Sequence, residues 1–396
     1  MIALMDQYLS FIETVALPSF LQEFHITAES FSWWEAVYYI PTFFIFLLNG
    51  LTDIIGRKWS ILILFSMMGF ASLGMLVATP SFHFFMLFLS IITFTTVSNM
   101  WTIPVSEESP AASRARLMGV VYGISLLPLP AILPLLINKL GLGWRWYYGA
   151  MFLFMIPVFV MWIFMKEPQR YQVIQEERRL GKRKKHLFGL GVINRNDLKY
   201  LVFSAAIWMC WLIVSLIGGK YISYYFVTVH HYEYNAFLLI FLGVLIMMMI
   251  GSFVGGWTMD RIGRKRGFLV GCLGLAFFMA LIGLVSIDTA RFVALFTGFF
   301  LGFSYIWIIT YIPEIFPTDR RGALMGWTTT AARGSYIIGP VVAAILLGLY
   351  PSMEWFWVIS GLIMLIPIIL VLLFHPYETT HKELEIIEEQ REAPAP

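Results

Sequence analysis

Cysteine and charge are what this sequence has least of. Cys210 and Cys272 are the only cysteines among 396 residues. Both sit inside apolar runs, which excludes a disulfide framework and gives no metal-ligand spacing. The seven histidines complete no metal set either: His25, His83, His230 and His231 lie in loops or at span ends, His186 in a polar linker, His375 and His381 near the tail. No glycine-rich phosphate loop and no Ser–His–Asp grouping occurs, so neither ATP drive nor hydrolytic catalysis is indicated. No cofactor is expected and the chain does not read as an enzyme. Charged residues make up 13% of the chain, against about 25% in a soluble globule. With 59% apolar residues and a mean hydropathy of +0.78, the chain is an integral membrane protein by composition.

What fills the chain instead is apolar runs of about 20 residues, each long enough to cross a bilayer. Twelve are expected, at about 1–22, 32–52, 60–79, 83–105, 117–138, 146–165, 199–227, 236–257, 268–286, 291–313, 323–348 and 354–374. In lipid the backbone polar groups must pair within the segment, so these are helices. The first run begins at Met1 with no small-residue cleavage site after it, which speaks against a removed signal peptide. Of the Lys and Arg residues, 22 fall in one alternating set of loops and tails, and three (Lys139, Arg145, Arg291) in the other. The basic side is expected to be cytoplasmic, with both termini in the cytosol.

Residues 166–198, including "EERRLGKRKKH", form the one long polar interruption and divide the chain into an N-terminal half (1–165), a cytoplasmic linker (166–198), a C-terminal half (199–375) and a cytoplasmic tail (376–396). The positive-inside bias accounts for this basic run without a nucleic-acid partner. The halves repeat at an offset of 207: Asp53, Gly56, Arg57 and Lys58 match Asp260, Gly263, Arg264 and Lys265. A second phrase keeps the offset, Glu107, Pro110, Arg114 and Gly119 matching Glu314, Pro317, Arg321 and Gly326. Two homologous six-span halves are a transporter signature, with the substrate site expected near mid-bilayer where halves meet.

"GGWTMDRIGRKRG" (255–267) resembles the G-x-x-x-D-R-x-G-R-K loop of the major facilitator superfamily, complete in Gly256, Asp260, Arg261, Gly263, Arg264 and Lys265. The first copy departs from it, with Asn49 in place of Gly and Ile54 in place of Arg. "KEPQRY" after the sixth span is similar to the P-E-S-P-R-W phrase of the sugar-porter-like branch, keeping Glu167, Arg170 and Tyr171. "HPYETTHKELE" resembles that branch's P-E-T-x-G-x-x-L-E ending in Pro376, Glu378, Thr379, Leu384 and Glu385. The resemblance implies an all-α membrane protein of twelve transmembrane helices in two pseudo-symmetric six-helix bundles, acting as a monomer on a small molecule in the lipid bilayer. The branch includes niacin-like and aromatic-acid symporters and organic-ion carriers.

The charges at helix ends then read as a conformational latch. Asp53 and Asp260 are placed to accept from the N-terminal amides of a neighbouring helix and to pair with Arg57, Lys58, Arg261 or Arg264. Glu107 with Arg114 and Glu314 with Arg321 offer the same chemistry one loop over. Plain topological anchoring explains the cations but not the acids or the glycines.

Ionisable groups inside spans are functional candidates. Glu13 lies midway along the first span and is expected to be the better buried carboxylate; Asp6, nearer the cytoplasm, matches the first Asp of the D-G-Y-D-x(8)-P phrase of organic-acid symporters, with Pro18 as its proline and Leu9 in place of the second Asp. Either could couple transport to protons. Arg333, about a dozen residues into the eleventh span in "TTTAARGSYIIGP", resembles the Arg of organic-anion carriers, and would hold a substrate carboxylate or pair with Glu13 or Asp6. The sugar porters' Q-Q-x-S-G-x-N-x-x-x-Y-Y phrase survives only in Gly218, Tyr224 and Tyr225. Lys220 stands at its Asn, and Tyr122 at a further Gln position, which argues against a hexose. Lys220 is expected either to face an anion or to snorkel outward. Trp101, Trp208, Trp211, Trp307 and Trp327 supply aromatic surface for a planar ligand, and Glu35 is expected to face an outer vestibule. The expected function is proton-coupled uptake of a small organic anion by alternating access, the proton gradient being the energy source. Alternatives are a proton-antiporting exporter of drugs or cations, a sugar-porter-like facilitator, and a non-transporting sensor on the same fold.

Overall fold

The computed structural model of the chain describes residues 1–48, 55–101, 120–121, 123–167, 176, 180, 195–316 and 321–379, with the backbone alone at 195, 196, 321 and 322. The described residues are helical throughout, with no strand among them. Among the described residues nine helices are long and apolar enough to cross a membrane: Ala28–Leu48, Arg57–Val77, Arg145–Phe164, Asp197–Val229, Tyr234–Ile262, Arg264–Ile282, Ile287–Glu314, Ala323–Leu349 and Glu354–Phe374. Two further expected spans coincide with shorter apolar helices, Phe82–Thr96 and Gly123–Lys139. The first coincides with the 23-residue helix Ile2–Phe24.

The chain divides into two compact units, Met1–Phe188 with Glu233–Leu238, and Gly189–Tyr232 with Leu239–Pro396. In the first, α1 (Ile2–Phe24) packs against α4 (Phe82–Thr96), α6 (Arg145–Phe164) and the π-turn Pro128–Ile132 that leads into α5 (Leu133–Lys139). Also here are α2 (Ala28–Tyr38), extended by a 3-10 turn over Ile40–Phe44, and α3 (Arg57–Val77), which packs on α4 and α6. One end is pinned by Glu23, which pairs with Arg145 at 2.7 Å and accepts from Trp144 Nε1 at 2.6 Å. Arg145 Nε donates on to Thr79 Oγ1.

In the second unit, α7 (Arg195–Ser223, prolonged by a π-turn over Tyr224–Val229) lies against α11 (Arg321–Ala332), α12 (Ser335–Leu349) and α14 (Leu365–Phe374). Against α9 (Arg264–Ile282) pack α10 (Ile287–Glu314), α13 (Glu354–Ile363) and α14. Helix α8 (Tyr234–Ile262) meets α10 backbone to backbone. A Cβ on Gly298 would stand 2.7 Å from the Val244 carbonyl oxygen, and one on Gly302 closer still to that of Met248. With no apolar driving force between helices in lipid, such close approach through small residues supplies the van der Waals contact that holds them.

Two interruptions of expected spans bear on the candidate site. The fourth, expected over 83–105, leaves the helix after Thr96, its residues 102–105 lying outside the described residues. Ser98 and Asn99 then make tight turns, Asn99 is left-handed (φ 48°), and Met100 and Trp101 are buried beyond it. The eleventh breaks at Arg333–Gly334, where the Arg333 N–H is shared between the carbonyls of Thr329 (3.1 Å) and Thr330 (3.2 Å). Irregular backbone at membrane depth is tolerated where protein or a cavity surrounds it.

Candidate functional site

Arg333 is the most informative residue of the second unit. Its break between α11 and α12 puts the side chain inside the protein, 3% exposed. Among the described residues it has no ion-pair partner, and its Nε and Nη2 are buried without a hydrogen-bond acceptor. These two nitrogens form one edge of the guanidinium, the edge that takes a carboxylate side-on with two parallel bonds. The cation lies 5.9 Å from the ring centroid of Trp208 on α7 and 5.8 Å from that of Tyr336 on α12. The hydroxyls of Ser204, Thr328 and Ser335 are also buried without partners among the described residues; Ser204 precedes Trp208 by one helical turn and so shares its face. A buried charge is costly unless paired, and this edge leaves room for two parallel bonds to an anion.

Lys220 is 7% exposed, which removes the expectation that it snorkels outward. It sits on α7 twelve residues past Trp208, roughly 18 Å further along a helix that rises 1.5 Å per residue. Trp211 is buried, donates through Nε1 to Ser304 Oγ at 2.9 Å and stacks on Tyr305 at 4.8 Å. It packs α7 against α10. Tyr224 is half-buried in the π-turn, while Tyr225 is buried and donates to the Ile282 carbonyl at 3.3 Å. Trp307 is sandwiched between Phe268 and Tyr311.

In the first unit the order of burial is the reverse of that expected. Asp6 is fully buried, whereas Glu13 is only partly so. Asp6 Oδ2 accepts from Gln7 Nε2 at 2.9 Å and from Trp101 Nε1 at 3.1 Å. The reason is the interrupted fourth span, whose turn after Thr96 brings the indole onto α1. Trp101, expected against substrate, is therefore a donor to Asp6. Glu13 Oε2 accepts from the Tyr39 hydroxyl at 3.2 Å, and Tyr39 is itself buried. Glu35, expected in an outer vestibule, is also fully buried, one helical turn before Tyr39. Among the described residues, carboxylates more than a turn from a span end (Asp6, Glu13, Glu35) lie in the first unit, and the cations in such positions (Lys220, Arg291, Arg333) in the second.

The helix-end charges are arranged differently from the expected latch. Gly263 (φ 100°) and Gly56 (φ 98°) are left-handed, a conformation glycine takes without a Cβ clash. Each turns the chain sharply into a helix whose first N–H groups have no intrahelical partner. At the helix after Gly263 the acceptor is not the expected Asp260. Glu378 accepts from Arg264 N (2.8 Å) and Lys265 N (3.2 Å), and Glu167 from Arg57 N and Lys58 N (3.0 Å each). Asp260 pairs with Arg264, one of the cations expected for it, at 2.5 Å, and Arg264 reaches Glu314 at 3.4 Å. Glu314 also accepts from Thr379 Oγ1. Arg261 is exposed and lies 3.9 Å from the Trp257 ring centroid, apart from this network. Lys58 lies over Trp162, whose Nε1 donates to the Lys58 carbonyl. Asp53, Glu107, Arg114 and Tyr122 lie outside the described residues, as does the side chain of Arg321. The signal for the two capping acids was present in the "KEPQRY" and "HPYETT" phrases. The repeat offset concealed it, because 207 carries Glu167 onto Phe374, four residues short of Glu378.

The family model of the Major Facilitator Superfamily matches residues 1–332 and 239–396. Among curated proteins the chain is similar to a cis,cis-muconate transport protein of Acinetobacter baylyi, 25% identical over 223 residues, covering 51% of this chain and 48% of that protein. It is also similar to a gentisate transporter of Corynebacterium glutamicum, 26% identical over 157 residues, covering 38% and 35% respectively. The chain thus matches about half or less of the length of these relatives. The inward-open xylose transporter XylE from E. coli superposes with a TM-score of 0.74 at 16% identity, over 98% of this chain and 97% of that one. A D-xylose–proton symporter superposes with a TM-score of 0.68 at 17% identity, over 93% and 94%. At these identities the structural likeness concerns the fold. The chain belongs to the Major Facilitator Superfamily.

Proposed function

We propose that this member of the major facilitator superfamily is a secondary active transporter that takes up a small organic carboxylate together with protons, by alternating access, with both termini in the cytosol. The observation that carries the reading is the buried Nε/Nη2 edge of Arg333, which has no acceptor among the described residues. An arginine cannot deprotonate to escape burial, so its counter-charge has to be an anion, and a transported carboxylate is one that leaves when transport is complete. Relatives named for muconate and gentisate, both carboxylates, support that class. The xylose transporters do not extend it to sugars, since the residues of the sugar-reading phrase are replaced here by Lys220, Val214 and Ser215.

The proton is assigned to the first unit, to Asp6 before Glu13. Asp6 is the more deeply buried and is held by two donors on a single oxygen. The capped helix ends at Glu167 and Glu378, with Arg264 bridging Asp260 and Glu314, serve as the cytoplasmic latch, made and broken with the transport cycle. A proton-antiporting exporter is the second reading, favoured by the buried acids Asp6 and Glu35 and the half-buried Glu13, which suit a cationic cargo.

The deciding experiment is equilibrium binding of benzoate, muconate, gentisate and a lipophilic cation to the purified chain and to Arg333→Gln. Carboxylate binding lost in the variant, with the fold retained, supports the uptake reading. Undiminished carboxylate binding, or binding of the cation alone, overturns it in favour of the exporter.

A further inference from the structure

We infer that Trp208 and Tyr336 determine specificity, selecting acids whose carboxylate is conjugated to a flat π system over saturated acids of the same size and charge. The inference rests on the reading of Arg333 as the carboxylate site and names what lies beyond the carboxylate.

A carboxylate bound to the Nε/Nη2 edge lies in the plane of the guanidinium, because the two parallel bonds are strongest when the fork geometries are coplanar. The rest of the ligand then leaves along that plane. Two aromatic residues close to this guanidinium come from two helices: Trp208, 8% exposed, from α7, and Tyr336, half-buried, from the first turn of α12. Both rings stand within 6 Å of the guanidinium carbon. Their register is held by close contacts between the helices. A Cβ on Gly334 would lie 3.4 Å from Met209 Cε, and one on Gly339 would lie 3.8 Å from Ile213 Cα. These two helices therefore run side by side in the same direction, and the rings are carried on fixed backbone.

A conjugated acid keeps its carbon skeleton coplanar with its carboxylate and presents a flat face to these rings, as aromatic pairs require. A saturated acid leaves the plane at its first tetrahedral carbon and meets the rings edge-on with hydrogen atoms. The guanidinium supplies the charge recognition common to both classes. The two rings supply the difference.

The test compares benzoate with cyclohexanecarboxylate, which share charge and number of non-hydrogen atoms and differ in planarity. Binding is measured by calorimetry on the purified full chain. The wild type is expected to prefer benzoate by about tenfold or more, the size of two aromatic contacts. Trp208→Leu and Tyr336→Leu should each lower that ratio about three- to tenfold. The double variant should bring it to about one, with cyclohexanecarboxylate affinity changed by less than about threefold. Trp208→Phe and Tyr336→Phe keep a ring and should retain most of the preference, which gives the same ratio to read if a leucine variant does not fold. A wild-type ratio near one, or a ratio that survives the double variant, overturns the inference while leaving Arg333 in place. Benzoate binding undiminished in Arg333→Gln fails the carboxylate reading itself, a separate result from a different variant.

Discussion

Glu378 closes the helix that starts at Arg264, its Oε1 taking the Arg264 N–H at 2.8 Å while Oε2 takes that of Lys265 at 3.2 Å. The residues are 114 positions apart in sequence, so the cap ties the end of the last span to the start of the ninth. Glu378→Ala should lower stability by about 1–3 kcal/mol, the range for losing a charged acceptor, nearer the low end because these amides are only part-buried. Glu378→Gln, which keeps an acceptor, should lose less. Thermal unfolding of the detergent-solubilised protein reads both, and equal losses would show that charge and hydrogen bonding are not what the site uses. Gly263→Ala should be at least as costly. Its φ is strained for any side chain, and the new Cβ would stand 2.8 Å from Glu378 Oε2.

The Asp260–Arg264 pair should matter little for stability. The Asp260 side chain is 61% exposed, and such pairs contribute about 0–1 kcal/mol. Asp260→Asn should therefore shift melting slightly, with the shift vanishing at high salt. Glu314→Gln should do more, since Glu314 serves both Arg264 and Thr379. A larger effect from Asp260→Asn than from Glu314→Gln would reverse this ranking.

Arg333→Lys tests the edge rather than the charge. A lysine keeps one positive charge but offers no bidentate fork. If the site holds a carboxylate by two parallel bonds, benzoate affinity should fall about 30-fold or more, as for loss of a desolvated, hydrogen-bonded charge pair costing about 2–5 kcal/mol. A lysine variant that binds as well as wild type would reduce the site to a point charge.

Asp6→Asn and Glu13→Gln separate the two carboxylates. Asp6 is the more buried and the more closely held, so its neutral variant should exchange internal for external carboxylate yet fail to concentrate it against a gradient. Exchange needs no net proton movement; uphill uptake does. Glu13→Gln should retain uphill uptake at a reduced rate. The measurement is counterflow and gradient-driven uptake in proteoliposomes, and the opposite pattern would move the proton site to Glu13.

Gly302→Leu should be among the most damaging core substitutions. A side chain there meets the Met248 carbonyl on the facing helix, and backbone cannot give way as a rotamer does. Overpacking of this kind costs about 1–3 kcal/mol or more. The check is the yield of monodisperse protein, with Gly326→Leu, which has open space around it, as the control expected to behave like wild type.

The sequence by itself determined the class of molecule, the position of most spans and the repeat, because hydropathy along 20 residues is a local quantity and bilayer thickness is fixed. It also singled out Arg333, since an arginine far from both ends of an apolar span has no solvent to reach. The glycines at 56 and 263 were legible as special, though not their reason, which is the left-handed turn into a helix. Only the tertiary structure decided which acid caps those helices. Glu167 and Glu378 come from more than a hundred residues away, where a repeat offset four residues out of step pointed elsewhere. It likewise decided that Asp6 and not Glu13 is the more deeply buried, and that Trp101 faces a carboxylate. Burial depends on how each helix is rotated against its neighbours and on where a span is interrupted. Those are set by packing between residues distant in sequence, and no window of the sequence carries them.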